Sequence, residues 1–142
     1  MSIATILQGK GREVIHVKPT DSVLSAVKLL ADKRIGCLPV VEDGAVLGIF
    51  SERDLLYRVA SDGADALNHT VGEVMTAPAI TIDDQTPVLH GLSLMTKRRV
   101  RHLPVVIDGK LAGLISIGDL VKFRIDTIES EAASLRDYIQ TA

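Results

Sequence analysis

The sequence predicts a mixed α/β (α+β) fold, in which two β-α-β-β-α repeats pack about a pseudo-twofold axis and a long C-terminal helix follows. The first observation is an internal duplication: residues 14–55 align on residues 79–120 at an offset of 65 without a gap, and 15 of the 42 positions are identical. The second is an Asp-Gly pair between two apolar runs in each copy, a combination that favours a tight hairpin. Two copies are too few for a solenoid, so two half-domains facing each other are the simpler arrangement.

The first half of each repeat is predicted to be a strand and a helix. A β-rich run opens the two copies at residues 14–17 and 79–82. In the first copy, residues 20–22 (Thr-Asp-Ser) offer N-cap side chains ahead of apolar residues at helical spacing. In the second copy, Thr86 is the expected cap and Pro87 the expected first helical residue, a position where the missing N–H costs nothing.

The second half of each repeat is predicted to be a hairpin and a helix. Strands of residues 38–41 and 46–51 flank the Asp-Gly pair of the first copy, and residues 103–107 and 111–116 flank that of the second. Glycine accepts the positive φ that such turns require. A closing helix is expected after the serine that ends each second strand.

The chain is predicted to divide into two units of unequal length. Residues 1–65 hold the first repeat with an N-terminal segment, and residues 66–142 hold the second repeat with the C-terminal helix. The polar, turn-rich residues 61–70 are expected to form a loop. Thr70 and Glu73 have the spacing of a capping box and predict a short helical turn.

Composition and motifs argue against several classes of function. Lys and Arg number 16 against 18 Asp and Glu, a balance that disfavours a protein that coats nucleic acid. Cys37 is the single cysteine and the four histidines lack metal-ligand spacing, so we expect no disulfide framework and no metal site. The sequence has no P-loop, dinucleotide-binding or protease motif, so no enzymatic activity is expected. It also has no signal peptide and no run of about 18 apolar residues, and we expect a cytoplasmic protein without membrane contact.

An apolar stripe runs along the predicted C-terminal helix. Its members follow one another at intervals of 4, 3, 4, 3 and 4 residues, and they are Val121, Ile125, Ile128, Ala132, Leu135 and Ile139. This spacing is typical of a coiled-coil seam. Two interpretations remain open: the helix folds back on its own domain, or the stripe meets the same stripe of a second copy and forms a homodimer.

The segment that begins each closing helix has the form Ser-x-x-Asp, with Ser51 and Asp54 in the first copy and Ser116 and Asp119 in the second. One interpretation is an N-cap with an acidic residue in the first turn, which stabilises a helix by about 1 kcal/mol. The other is a ligand site, in which the carboxylate accepts hydrogen bonds from two ribose hydroxyls and the helix N-terminus faces a phosphate. The spacing alone favours the cap.

The repeat order, the Leu-Pro-Val-Val strand, the Asp-Gly hairpin and the Ser-x-x-Asp segment after a glycine and two apolar residues resemble the CBS domain. The pair resembles a Bateman module over roughly residues 5–125. The resemblance implies a regulatory module that binds an adenosine ligand (AMP, ADP, ATP, NAD or S-adenosylmethionine) in clefts between the repeats and requires no cofactor. It also implies an unidentified regulated protein as partner. The alternative is a protein-interaction scaffold whose clefts bind nothing.

The resemblance also implies a set of ligand-binding residues. They are Ser51, Arg53, Asp54, Ile80, Thr81, Arg101, His102, Ser116, Ile117 and Asp119. The two acidic residues would hold the ribose, Arg101 and His102 the phosphates, and residues 80–81 with Ile117 the adenine. The adjoining basic residues 98–99 are expected to be surface charges.

The two clefts are expected to differ. The first copy has Gly36 and Cys37 in place of the Arg-His pair, and it has Arg53 where the second copy has Gly118. The tighter phosphorylated ligand is therefore expected in the cleft that combines the Ser-x-x-Asp segment of the second copy with Arg101. The other cleft is expected to be empty, weaker or served by Arg53.

Overall fold

A computed structural model describes residues 1–141. Its regular elements are α1 (Ile3–Lys10), α2 (Val23–Lys33), β1 (Cys37–Glu42), β2 (Ala45–Ser51), α3 (Glu52–Asp62), α4 (Val71–Val74), α5 (Val88–Arg98), β3 (His102–Ile107), β4 (Lys110–Ser116) and α6 (Ile117–Thr141). Strands β1 and β2 form one two-stranded sheet, and β3 and β4 form the other. The mixed α/β architecture with a long C-terminal helix is confirmed.

The two hairpins have the same geometry. Both are antiparallel, and each has an irregularity at the equivalent place, between Val40 and Val41 or between Val105 and Val106. The Asp and the Gly of each turn have positive φ, 53° and 83° in the first hairpin and 51° and 78° in the second. Positive φ at both central positions defines the turn type that matches the twist of the flanking strands, which is why the Asp-Gly pair located both hairpins correctly.

The predicted opening strand of each repeat is reduced to one parallel bridge. Val17 pairs with Val40, and Ile82 pairs with Val105. The N–H of Val17 donates to the carbonyl of Pro39 at 3.0 Å, and the carbonyl of Val17 accepts from Val41 at 2.8 Å. A turn in which the Asp21 carboxylate accepts from the N–H of Lys18 at 2.9 Å follows at once, and it ends the strand.

Four of the five predicted helix starts agree with the structure, since α3 and α6 begin directly after the serine that ends each second strand. The Ser22 hydroxyl accepts from the N–H of Ser25 at 3.0 Å and caps α2, and Thr70 caps α4. The prediction for α5 is wrong by one residue, because Pro87 has ψ of 145° and occupies the cap position itself. The Thr86 hydroxyl instead donates to Asp83 at 3.2 Å. The loop expected over residues 61–70 is largely a 3₁₀ helix, Gly63–Asn68.

Helix α1 was not predicted, and it completes the core of the repeat that lies farther from it in sequence. Ile3 and Leu7 are 0% and 1% exposed, and they belong to the core cluster of the second repeat. In exchange, Val71 and Val74 of α4 belong to the core cluster of the first repeat. A boundary at residue 65 would therefore separate α1 from the second repeat and α4 from the first repeat, although each helix packs in the core of that repeat.

Helix α6 is 25 residues long. Leu120 is its one buried residue, and Phe123 packs against the core of the second repeat. Within residues 1–141, no helix combines the length and apolar character needed to cross a membrane.

Candidate functional site

A cavity of about 280 Å³ lies between the two repeats. The end of β2 and the start of α3 form one wall, from the first repeat. Thr76 and residues 78–80, between α4 and α5, and residues 98–102, from the end of α5 to the start of β3, form the other walls. The cavity therefore joins the start of the closing helix of one repeat to the opening and central segments of the other.

Asp54 presents a carboxylate at the start of α3, where it takes part in a capping box. Its Oδ2 atom accepts from the N–H of Ser51 at 2.9 Å, and the Ser51 hydroxyl in turn accepts from the N–H of Asp54 at 3.3 Å. Its Oδ1 atom accepts from the hydroxyl of Thr76 at 2.6 Å. Capping is thus present, and Oδ1 has a neutral donor that a ligand hydroxyl can replace.

Thr76 was missed by the sequence analysis. It forms an antiparallel bridge with Ile49, with both backbone hydrogen bonds at 2.9 Å, and this bridge carries the segment of the second repeat across the end of β2. At the offset of 65 its counterpart is Gly11, outside the duplicated stretch. The internal repeat therefore held no signal for it.

Four arginines line the cavity: Arg53, Arg98, Arg99 and Arg101. Two acidic residues, Glu52 and Asp54, oppose them. Among residues 1–141, none of the four arginines has a carboxylate within 4.0 Å. The forked guanidinium donors are thus available to an anion, and phosphate is the oxyanion that their geometry suits best.

The local backbone explains why a run of basic residues meets at this cavity. Arg99 is the C-cap of α5 and has left-handed geometry with φ of 53°, which is uncommon outside glycine. It turns the chain so that residues 99–102 run along the cavity. The guanidinium of Arg53 donates to the carbonyl of Arg99 at 3.3 Å. Residues 98–99, expected as surface charges, are exposed but lie at this rim.

His102 and Cys37 occupy equivalent strand starts and both line the cavity. Burial, together with the positive charges of Arg101 and Lys10, lowers the pKa of the His102 imidazole, so the ring is neutral at pH 7. Burial raises the pKa of the Cys37 thiol to about 12. A protonated thiol is a poor nucleophile, and Cys37 acts here as an apolar wall.

The Ser-x-x-Asp segment of the second repeat has the same capping box but a different environment. Asp119 Oδ2 accepts from the N–H of Ser116 at 2.8 Å and from the Lys10 ammonium at 2.6 Å. Lys10 also donates to the carbonyl of Leu114 at 2.8 Å. Burial alone would raise the pKa of Asp119, but the hydrogen bonds from Lys10 and Ser116 outweigh it and hold that pKa below its usual value.

The structure therefore groups the predicted residues differently from expectation. Arg101 and His102 line the cavity together with Ser51, Arg53, Asp54 and Ile80. Ser116, Ile117 and Asp119 are not among its lining residues, and neither is Thr81, which is exposed. The carbonyl of Arg101 accepts from the N–H of Ile117 at 2.8 Å, so the two groups meet through the backbone. The arginine of one repeat thus shares a cavity with the acidic residue of the other.

Comparison with known proteins gives a consistent family. The profile of the CBS domain matches residues 11–61 and 71–126. The chain is 34% identical over 148 residues to the mitochondrial CBS-domain-containing protein CBSX3 of Arabidopsis thaliana, a match that covers 98% of this chain and 72% of the relative.

Solved structures are similar over most of the chain. The CBS-domain-containing protein ATU1752 of Agrobacterium tumefaciens superposes with a TM-score of 0.83 at 41% identity, covering 87% of this chain and 99% of that one. CBSX2 in complex with AMP has a TM-score of 0.72 at 30% identity, with 81% and 90% covered. The CBS domain pair of protein MJ0100, in complex with 5′-methylthioadenosine and S-adenosyl-L-methionine, has a TM-score of 0.78 at 26% identity, with 89% and 98% covered.

Proposed function

The chain belongs to the CBS-domain family, with two CBS domains in tandem, and from that premise we propose that it is a regulatory module that binds a phosphorylated adenosine nucleotide between its repeats. One observation carries the proposal: a single cavity combines the Asp54 carboxylate with four arginines that have no carboxylate partner in the described chain. The similar structures with AMP and with S-adenosylmethionine support an adenosine ligand.

Each wall of the cavity has a role in this proposal. Asp54 Oδ1 accepts from a ribose hydroxyl in place of the Thr76 hydroxyl, and a charge-assisted hydrogen bond of this kind is stronger than a neutral one. Arg53 and Arg101 bind phosphate oxygens from opposite repeats. Ile80 supplies an apolar surface for the adenine. A ligand held in this way bridges the repeats and stabilises their arrangement.

The charge of the cavity distinguishes among adenosine ligands. Four arginines face two acidic residues, so AMP, ADP, ATP and NAD are favoured over the cationic sulfonium of S-adenosylmethionine. A thermal-shift series with these five ligands tests the proposal, because saturating ligand at about 100 times its Kd stabilises by about 2.7 kcal/mol. We expect the melting temperature to rise by several degrees with at least one phosphorylated ligand. Folded protein that shows no shift with any of them at millimolar concentration defeats the proposal.

The phosphate-binding role of Arg101 has its own test. Replacing Arg101 by Ala removes an exposed side chain with no intramolecular carboxylate partner, so the fold should be unaffected. The Kd for AMP, measured by calorimetry, should rise about tenfold, because a charge-assisted hydrogen bond contributes about 1.5 to 3 kcal/mol. The Kd for adenosine, which lacks the phosphate, should change less than about twofold. Equal losses for both ligands would assign Arg101 a role other than phosphate binding.

Regulation requires that the ligand distinguish two states of the module. A ligand shifts an equilibrium by no more than its differential affinity for the two states. A nucleotide that contacts both repeats binds more tightly to the arrangement of the repeats in which all of these contacts form. The regulated protein is an unidentified partner in this proposal, and the module itself leaves the nucleotide unchanged. Incubation with ATP followed by chromatography should return ATP only. Release of ADP or AMP at catalytic rates would replace this function with an enzymatic one.

Self-association is the second part of the proposal, and a separate observation favours it. Leu56 and Tyr57 on α3 are both 65% exposed, and the apolar stripe of α6 is exposed as well. Large exposed apolar areas on a protein of this size mark an interface. We expect a homodimer, and light scattering after gel filtration measures it. A ligand-free scaffold would form the same homodimer but fail the thermal-shift series.

A further inference from the structure

Helix α6 continues well past the domain to which it belongs. The family match ends at residue 126, and every residue from 128 to 141 is exposed. A helix of that length with no packing partner is marginal in water. The segment carries large apolar side chains, with Ile128 at 48%, Leu135 at 60% and Ile139 at 65% exposure. We therefore expect a partner that packs against this segment and stabilises its helix.

The exposed stripe occupies a different face of α6 from the one that contacts the domain. Leu120 is buried, and Phe123 and Thr127 are partly buried, on the face toward the second repeat. In heptad notation the stripe places Ile125, Ala132 and Ile139 at a positions and Val121, Ile128 and Leu135 at d positions. The a and d positions of about three heptads thus remain free to contact another helix, because a different face of α6 packs on its own domain.

We propose that this stripe pairs with the same stripe of a second copy as a parallel, in-register, two-stranded coiled coil. The inference rests on the self-association proposed above and adds its site and its orientation. In a parallel coiled coil a g residue faces the e residue five positions further along the other helix. Arg124 then faces Glu129, and Glu131 faces Arg136. Both pairs are oppositely charged, and symmetry forms each of them twice.

The opposite orientation places like charges together. The stripe is centred on residue 130, so an antiparallel pairing with full overlap sets Glu129 against Glu129 and Glu131 against Glu131 of the second copy. Lys122 would then face Arg136. The charges thus select the parallel pair.

Disulfide trapping tests the orientation in the full-length chain. Leu135→Cys places two thiols side by side only in the parallel, in-register pair, so mild oxidation should convert most of the protein to a covalent dimer on a non-reducing gel. Ser134→Cys, exposed on the outer face one residue earlier, is the matched control and should remain monomeric there. The native Cys37 is buried, and unmodified protein should show no covalent dimer.

The outcomes separate this inference from the function proposed above. A dimer in solution that traps through a mixture of Ile125→Cys and Leu135→Cys chains, but not through Leu135→Cys alone, is antiparallel and overturns the orientation while leaving self-association intact. A monomer by light scattering overturns both. Nucleotide binding is measured independently by the thermal-shift series.

Charge reversal provides a second readout that does not depend on oxidation. Glu131→Arg should weaken dimerisation about tenfold, because the pair with Arg136 becomes a like-charge pair and symmetry forms that pair twice. Adding Arg136→Glu should restore the affinity. A single change with no effect, or a double change that weakens dimerisation further, contradicts the parallel pairing.

Discussion

The start of α3 and the start of α6 carry the same capping box, and the two carboxylates differ in the further donor that each accepts. Asp54 accepts from the neutral hydroxyl of Thr76 at 2.6 Å, whereas Asp119 accepts from the ammonium of Lys10 at the same distance. A carboxylate with a neutral donor keeps its charge available to a ligand, but one paired with lysine is already compensated. Duplication has preserved the backbone of the two sites while their chemistry has diverged.

The arginines at equivalent positions also differ between the two repeats. Arg101 of the second repeat stands where the first has Gly36, and Arg53 of the first repeat stands where the second has Gly118. One arginine lies in each repeat, yet both line the cavity that contains Asp54. Because the repeats face each other across the pseudo-twofold axis, a difference in either copy can reach the same cleft. The differences between the two repeats therefore act together on one cavity.

The largest expected effect comes from breaking the contact of α1 with the second repeat. Leu7 is 1% exposed, and its side chain fills the space over Gly113. Leu7→Ala should lower the free energy of unfolding by about 3 kcal/mol, because it leaves a cavity in a packed core. Met75 covers Gly48 in the first repeat but is only partly buried, so Met75→Ala should cost about half as much. Urea unfolding measures both, and a loss below 1 kcal/mol for Leu7→Ala would show that α1 contributes little to the core.

The position of α1 could not be predicted from the sequence, in contrast to the elements of the duplicated stretch. The hairpins and helices of the duplicated stretch were predictable because local chemistry determines them: Asp-Gly turns, a serine cap and a helical stripe. The docking of α1 depends on contacts such as Lys10 with Asp119, which are 109 residues apart in sequence. No local pattern encodes which repeat an N-terminal helix will cover.

The grouping of the site residues was out of reach for a related reason. The resemblance to the CBS domain, and not spacing alone, made Ser51, Arg53, Asp54, Arg101 and His102 candidates. That the two clefts differ in ligand binding stays a prediction. Which arginine faces which carboxylate depends on how the half-domains cross, and an internal duplication is compatible with either grouping.

Gly48 and Gly113 occupy equivalent positions in the two repeats, but different kinds of atom cover them. A Cβ on Gly48 would lie 2.6 Å from the carbonyl oxygen of Thr76, whereas a Cβ on Gly113 would lie 2.7 Å from the end of the Leu7 side chain. The first obstacle is backbone, whereas the second is the far end of a buried side chain, which can shift more easily than backbone. Gly48→Ala should therefore cost about 3 kcal/mol, and Gly113→Ala about 1 kcal/mol. Equal costs in urea unfolding would mean that the segment at Thr76 yields as easily as a side chain.

The two carboxylates can be compared directly through ligand affinity. Asp54→Asn retains an oxygen that accepts from the N–H of Ser51 but loses the charge, and it should raise the Kd for the nucleotide tenfold or more, corresponding to about 1.4 kcal/mol. Asp119→Asn is the matched control, with the same chemistry at the equivalent position, and should change the Kd less than about threefold. Calorimetry with the nucleotide found by the thermal-shift series provides the measurement. A larger loss for Asp119→Asn would place the ligand at the start of α6, beside Lys10.

The ion pair of Lys10 with Asp119 is expected to contribute little to the free energy of unfolding. Lys10 and Asp119 are 39% and 25% exposed, and partly exposed ion pairs contribute about 0.2 to 1 kcal/mol. Lys10→Met should therefore destabilise the fold by less than about 1 kcal/mol at pH 7. The folded state holds the pKa of Asp119 below its unfolded value, so this stabilisation is present above the unfolded pKa and is lost as the pH falls through the folded one. The difference between the wild type and Lys10→Met should shrink accordingly in acid, and carboxyl NMR should show the pKa of Asp119 rising in the variant. A difference that is independent of pH would mean that Lys10 stabilises the fold through its hydrogen bond to Leu114 or its aliphatic stem. The charge of Asp119 would then not be what distinguishes the start of α6 from the start of α3.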